Sequence, residues 1–286
     1  MNIGRFEAAD GDRVWGVLSA DQESFTVIQE PMASWAPKVA EVDDSSVLSL
    51  GATHDVRSMK LVAPVETGAR IFGTGVNYPT HLEDSGPKVF VKPETMPGYI
   101  KLDSSVVDPG GVIRYPATTN QLDYEIEILM VVAKPIVPGS LRTSCLLGYT
   151  IGNDVSPRDV GKPTGGVDLY SMKAQDQTAP IGPWITTLTE FGGPGQPAFD
   201  FTLKVNGELR QHDNTKNMIW NLEEILTFIN ERNRVRVGDL VFTGTTGGTG
   251  MRTGNFLKGG DHLELWADHI GTLVNTVGEK EASGEW

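Results

Sequence analysis

Cysteine is almost absent. Cys145 is the only one in 286 residues, which rules out an internal disulfide and fits a reducing compartment. Its neighbours between Leu141 and Tyr149 are mostly apolar, so the thiol reads as core packing rather than as a nucleophile. No run of about 18 apolar residues occurs, so no transmembrane helix is expected. The first ten residues carry Arg5, Glu7 and Asp10 and hold no apolar segment of signal-peptide length; a cytoplasmic protein is expected. Basic residues are scarce, 24 against 37 acidic ones, for a formal net charge of −13. A nucleic-acid binder needs a basic face, and this balance argues against one. A small anionic substrate stays open, because a few local cations can outweigh the global field. The sequence has no internal repeat, low-complexity segment or long acidic tail. The Gly-rich stretch 244–250 lacks the Lys-Ser/Thr end of a phosphate-binding P-loop, and no G-x-G-x-x-G stands in a βαβ setting.

What the chain does have is apolar content of 39%, enough for a sizeable core. Strand-like runs dominate: 13–18 and 24–28 in an N-terminal unit, then 69–74, 89–91, 125–133, 146–151, 201–205, 240–243 and 262–266. Gly and Pro cluster between them. The clearest helix is 219–230, where Ile219, Leu222, Ile225, Leu226 and Ile229 recur at i, i+3, i+4 spacing. Asn206-Gly207 reads as a hairpin turn. Helices do not alternate regularly with strands, so a β-rich α+β fold is expected rather than a doubly wound one. Its domains are a small N-terminal β unit over 1–63 and a main domain over 64–286.

The most informative segment is Leu122-Asp123-Tyr124-Glu125-Ile126-Glu127-Ile128. In a strand, residues at i and i+2 share a side, so Glu125 and Glu127 project together, opposite Ile126 and Ile128. A third carboxylate, Asp154, follows in a second apolar run. Ionised carboxylates side by side repel, and burying them costs more still. A divalent cation removes that conflict, and an all-oxygen donor set suits Mg²⁺, Mn²⁺ or Ca²⁺. His81 and Asp84 are three apart and would share a face of one helical turn. The carboxylate would then orient the imidazole as a general base. Arg158 would clamp a substrate carboxylate or pair with Asp159. Lys92 and Lys173 would stabilise developing negative charge. The 244–250 loop would turn Thr245 toward a ligand.

Taken in order, these pieces resemble the fumarylacetoacetate hydrolase family. The matching stretches are Asn77-Tyr78-Pro79-Thr80-His81, Phe90-Val91-Lys92-Pro93, Leu122 to Glu127, Gly148-Tyr149-Thr150, Asn153 to Asp159, Lys173, Gly182-Pro183-Trp184, Val205 to Glu208, Gly238-Asp239 and Phe242 to Thr245. The resemblance implies a mixed β-sandwich roll behind a small N-terminal domain, pairing as a homodimer. It implies Mg²⁺ or Mn²⁺ on Glu125, Glu127 and Asp154, with His81, Asp84 and Lys173 catalytic. Tyr78, Lys92, Arg158 and Thr245 would contact a dioxo-acid substrate. The leading expectation is hydrolysis of a carbon–carbon bond in an acylpyruvate or fumarylpyruvate type of acid. Isomerisation, decarboxylation, or opening of a sugar-acid or ring substrate is the alternative. A ligand-binding protein without turnover is the third. The chain departs from the family pattern at Asp84, where glutamate is usual, at Gly161, where glutamine is frequent, and at Thr246, where proline follows Gly-Thr.

Overall fold

The computed structural model describes residues 1–85, 92, 94–160 and 168–283, with the side chains of 84 and 85 outside it. The expected 89–91 strand and the departure at Gly161 lie outside the described residues. Twelve strands form one sheet. Its path runs from Leu50–Asp55 through Ser24–Ile28, Arg13–Leu18, Asn2–Glu7, Ala179–Thr187, Leu146–Asn153 and Ile126–Val132. It continues through Leu240–Phe242 and Ile71–Thr74 to Gly98–Lys101. A five-stranded sheet runs Glu208–Asn214, Asp200–Val205, His262–Ala267, Gly271–Lys280, Val112–Tyr115. Most pairs are antiparallel, while Leu240–Phe242 runs parallel to Ile71–Thr74, so the sheet is mixed. The fold is the expected β-rich α+β class.

Five helices accompany the sheets among the described residues: α1 (Met32–Val42), α2 (Pro79–Ser85), α3 (Leu169–Lys173), α4 (Leu222–Arg232) and α5 (Gly250–Thr253). None is long and apolar enough to cross a membrane.

The strand Ile126–Val132 is covered on both faces, which is why it reads as a continuous apolar run. Ile126, Ile128 and Met130 join the core that includes the five-stranded sheet's Phe201, Leu203, Leu263 and Leu265 and the apolar face of α4. Leu129 and Val131 face the other core, with Ile3, Trp35 of α1 and Ile181. Each such side chain contributes roughly 1.5–3 kcal/mol of burial free energy before chain entropy is subtracted. The N-terminal unit joins the same sheet edge to edge, through Asn2 opposite Thr186 and Ile3 opposite Ile185. Periodicity within 1–63 carries no sign of that pairing, because its partner lies far along the chain.

Helix α4 starts at Leu222, later than the apolar spacing suggests. Ile219 N–H donates to the Asn77 carbonyl at 2.8 Å and Trp220 N–H to Asn77 Oδ1 at 2.7 Å. Those donors are thereby taken up outside the helix. Asn221 then caps it, in a reciprocal box with Glu224. The Asn206-Gly207 turn joins Asp200–Val205 to Glu208–Asn214 with φ of 52° and 79°, the positive values that a two-residue hairpin loop of type I′ requires.

Cys145 is 1% exposed. Burial pushes its thiol up to about 12, so little thiolate exists at neutral pH. The folded protein is expected not to react with a thiol reagent such as dithionitrobenzoate at pH 8, and to react fully once unfolded in guanidinium. Rapid labelling of the folded chain would contradict the core assignment.

Candidate active site

Glu125 lies just before the strand Ile126–Val132, and Glu127 is its second residue. Both point to the side opposite Ile126 and Ile128. Asp154 is held across from them by two hydrogen bonds between the two segments. Its N–H donates to the Glu125 carbonyl at 2.9 Å, and Glu125 N–H donates to Asn153 Oδ1 at 2.9 Å. Each of the three carboxylates offers an oxygen within 4.8 Å of the others, and all three are buried.

Cations surround two of the three. Lys173, the last residue of α3, places Nζ 2.5 Å from Glu125 Oε2 and 2.5 Å from Asp154 Oδ2. Lys101 Nζ donates to Asp154 Oδ1 at 2.5 Å and to the Lys173 carbonyl at 2.8 Å, and Tyr99 donates its hydroxyl to Asp154. Arg158 bridges Asp123 Oδ2 through Nε at 2.8 Å and Glu125 Oε1 through Nη2 at 2.5 Å. Asp123 is further fixed by N–H groups of Gly250 at 2.6 Å and Met251 at 3.0 Å, in the first turn of α5.

Burial opposes ionisation at every one of these carboxylates, and the partners decide the outcome. Arg158, Lys173 and His81 together hold the Glu125 carboxyl well below its usual range. Lys101 and Lys173 hold Asp154 low in the same way. Glu127 goes the other way. Burial, with Asp154 and Glu125 beside it, pushes its carboxyl well above the usual range. The charge of Lys173, already shared by Glu125 and Asp154, offsets this only in part, and the one hydrogen bond Glu127 accepts among the described residues is from Gly244 N–H, 2.6 Å from Oε2. A buried carboxylate left with so little positive partner charge is what a divalent cation would satisfy. The three-oxygen donor set therefore fits Mg²⁺, Mn²⁺ or Ca²⁺.

Glu125 and Glu127 line a cavity of about 240 Å³ that also takes in His81, Tyr99, Arg158, Lys173 and Thr245, with Asp154 buried just behind it. Val76, Pro97, Leu169 and Met172 supply its apolar wall. His81, in the first turn of α2, puts Nε2 4.0 Å from Glu125 Oε1. The side chain of Asp84, expected to steer it, lies outside the described residues. Thr245 donates its hydroxyl to the Ile126 carbonyl at 2.8 Å and accepts from Gln211 Nε2 at 3.0 Å. Gly244 beside it has φ of +94°, and a Cβ there would meet Asn77 Cβ at 2.5 Å. That close approach needs glycine.

Three expectations change in position. Tyr78 does not line the cavity. It is fully buried and packs edge-on against Phe201, with ring centroids 5.7 Å apart. Lys92 also lies outside the cavity, 3.1 Å from Glu224 Oε1 and 3.9 Å above the Trp220 ring. A second lysine besides Lys173 does reach the triad, Lys101, which the motifs did not mark. Its signal was alternation in Gly98-Tyr99-Ile100-Lys101. Tyr99 and Lys101 share a side, while Ile100 is 56% exposed. Arg158 pairs with Asp123 and Glu125 rather than with Asp159, which instead accepts from Thr119 and from Asn120 N–H.

The sequence matches the description of the fumarylacetoacetate (FAA) hydrolase C-terminal family over residues 70–278. It is 31% identical to 2,4-didehydro-3-deoxy-L-rhamnonate hydrolase of a Sphingomonas species, over 81% of this chain and 83% of that one. It is 29% identical to oxaloacetate tautomerase YisK of Bacillus subtilis, over 91% of this chain and 84% of that one. Among solved structures, 5-carboxymethyl-2-hydroxymuconate delta-isomerase from Mycobacterium smegmatis superposes with a TM-score of 0.80 at 25% identity. That match covers 98% of this chain and 100% of the other.

Proposed function

The chain belongs to the fumarylacetoacetate hydrolase family, and from that premise we propose a divalent-metal-dependent enzyme that moves a proton at the carbon beside the oxo group of a small 2-oxo dicarboxylate. The observation that carries this reading is His81 Nε2, 4.0 Å from Glu125 Oε1 and on the same cavity as Glu125 and Glu127. Proton transfer needs one positioned base, and His81 is that base. A bound Mg²⁺ or Mn²⁺, held by Glu125, Glu127 and Asp154, would supply Lewis-acid polarisation of the substrate's oxo group. A base placed in this way contributes roughly 10²- to 10⁴-fold in rate. The Lys173 ammonium and the Arg158 guanidinium give the wall positive charge for an acid's carboxylates. The cavity, about 240 Å³, suits a small acid. Its apolar wall leaves room for a short chain beyond the charged end.

A tautomerase and an isomerase among the similar proteins support proton transfer. The hydrolytic expectation is the second reading, and the rhamnonate hydrolase favours it. There His81 would take its proton from water, whose oxygen adds to a carbonyl carbon before the carbon–carbon bond breaks. Proton NMR in D₂O separates the two. With Mg²⁺, oxaloacetate is expected to exchange deuterium at C3 faster than without enzyme, while acetylpyruvate stays intact. Release of acetate and pyruvate from acetylpyruvate would transfer the assignment to hydrolysis. Neither reaction on either acid would overturn both readings.

A further inference from the structure

We propose that Asp213, Thr246 and Thr80 form a positioning clasp that fixes how α2 presents His81 to the acidic triad; the role rests on the proton-transfer reading above. Helix α2 spans only Pro79–Ser85. A helix that short is not stable by itself and needs tertiary ties. Its first turn is tied to the loop after Leu240–Phe242. Thr80 Oγ1 lies 2.9 Å from Thr246 Oγ1 and accepts from Gly247 N–H at 3.1 Å. Thr246 donates its hydroxyl to Asp213 Oδ2, and Thr80 Oγ1 reaches the same oxygen at 3.3 Å. Asn217 Nδ2 fixes the other oxygen, Oδ1, at 2.7 Å. A Cβ on Gly247 would come 2.9 Å from the Thr80 carbonyl oxygen, so loop and helix already touch.

The same loop holds the triad from its other end. Gly244 N–H donates to Glu127 Oε2 at 2.6 Å and Thr245 Oγ1 to the Ile126 carbonyl at 2.8 Å. Residues 244–247 are thus a short bridge with the metal-side carboxylate at one end and the histidine's helix at the other. The hydroxyl of Thr246, whose residue is 1% exposed, joins the two ends through Asp213.

The test uses the full chain with Mg²⁺ and three variants: Thr246→Val, which keeps the shape and removes the hydroxyl, Thr246→Ser, which keeps the hydroxyl, and Asp213→Asn. For Thr246→Val, kcat is expected to fall roughly 10- to 100-fold with KM and oxalate affinity within about twofold, the pattern of a misplaced catalytic group. Thr246→Ser is expected to restore kcat. Amide hydrogen exchange of residues 79–85 is expected to accelerate in Thr246→Val and in Asp213→Asn, with the rest of the sheet unchanged. A merely structural role would lower thermal stability and leave kcat of the folded enzyme alone. Unchanged kcat in folded Thr246→Val, or unchanged exchange at 79–85, overturns the clasp. If the wild type turns over neither oxaloacetate nor acetylpyruvate, the functional reading fails, and exchange alone decides the clasp.

Discussion

Glu127→Ala is expected to remove divalent-metal binding while leaving the protein folded and, in the presence of EDTA, at least as stable as the wild type. The asymmetry of the triad gives the reason. Asp123, Glu125 and Asp154 already have Arg158, Lys101 and Lys173 against them, so without Glu127 the buried charges are balanced and no negative charge is left over for a cation. A dication would then enter a pocket with no surplus negative charge to receive it. Losing an interaction between buried charges costs about 3–5 kcal/mol, so metal affinity should drop by two orders of magnitude or more. Glu127 itself is a poorly compensated buried carboxylate when no cation is present, and removing it relieves that cost. Thermal melts with Mg²⁺ and with EDTA check both halves. The wild type should be stabilised by the ion and Glu127→Ala should not.

The same asymmetry sets a pH dependence. The Glu127 carboxyl is raised by burial and by Asp154 and Glu125. Its contribution to stability is therefore present below the unfolded carboxylate value and is lost as pH rises through the folded one. Glu125 and Asp154 are depressed. Their contribution is present above the unfolded value and is lost only as pH falls through the folded ones. Metal binding has to displace the proton from Glu127, so affinity should climb with pH. Calorimetry of Mg²⁺ binding in buffers of different ionisation enthalpy should register proton release, and Glu127→Gln should abolish it. Equal affinity at low and high pH, without proton release, would contradict this account of Glu127.

His81→Asn should have the opposite profile. Turnover is expected to fall roughly 10²- to 10⁴-fold, the usual contribution of a positioned base, with metal affinity nearly kept. His81 is not one of the three oxygen donors and sits 4.0 Å from the nearest of them. Loss of metal binding on the scale of Glu127→Ala would instead make His81 a ligand. Full turnover in His81→Asn would remove it from the chemistry. Steady-state rates on the substrate that the exchange experiment identifies, with calorimetry alongside, distinguish the three cases.

Much of this site was legible in the sequence because it is written in local pattern. The Glu125-Ile126-Glu127 alternation fixes two carboxylates on one side of a strand. The apolar run after them shows that the strand is covered on both faces. Together these imply buried charge and hence a cation. What was not legible depends on contacts between distant segments. Lys92 and Lys101 both follow strand-like residues, and only the pairing of Gly98–Lys101 with Ile71–Thr74 turns Lys101 toward Asp154. Tyr78 and His81 are three apart, yet the turn into α2 sends one into the core and the other into the cavity. Apolar spacing includes Ile219 in α4, but Asn77 takes its N–H and that of Trp220. The bridge from Arg158 to Asp123 depends on the two-residue pairing of Leu122–Asp123 with Ser156–Pro157, too short for any periodicity to reveal.

Anomalous diffraction from a crystal soaked in Mn²⁺ and oxalate tests most directly whether Glu125, Glu127 and Asp154 hold one divalent cation beside His81, as proposed. The expected result is one strong peak, with an oxygen of each carboxylate at about 2.0–2.2 Å, the range for a small hard dication, and oxalate seated between the ion and the Lys173 side. A crystal that shows no peak among these three carboxylates, or an ion held elsewhere in the chain, would contradict it.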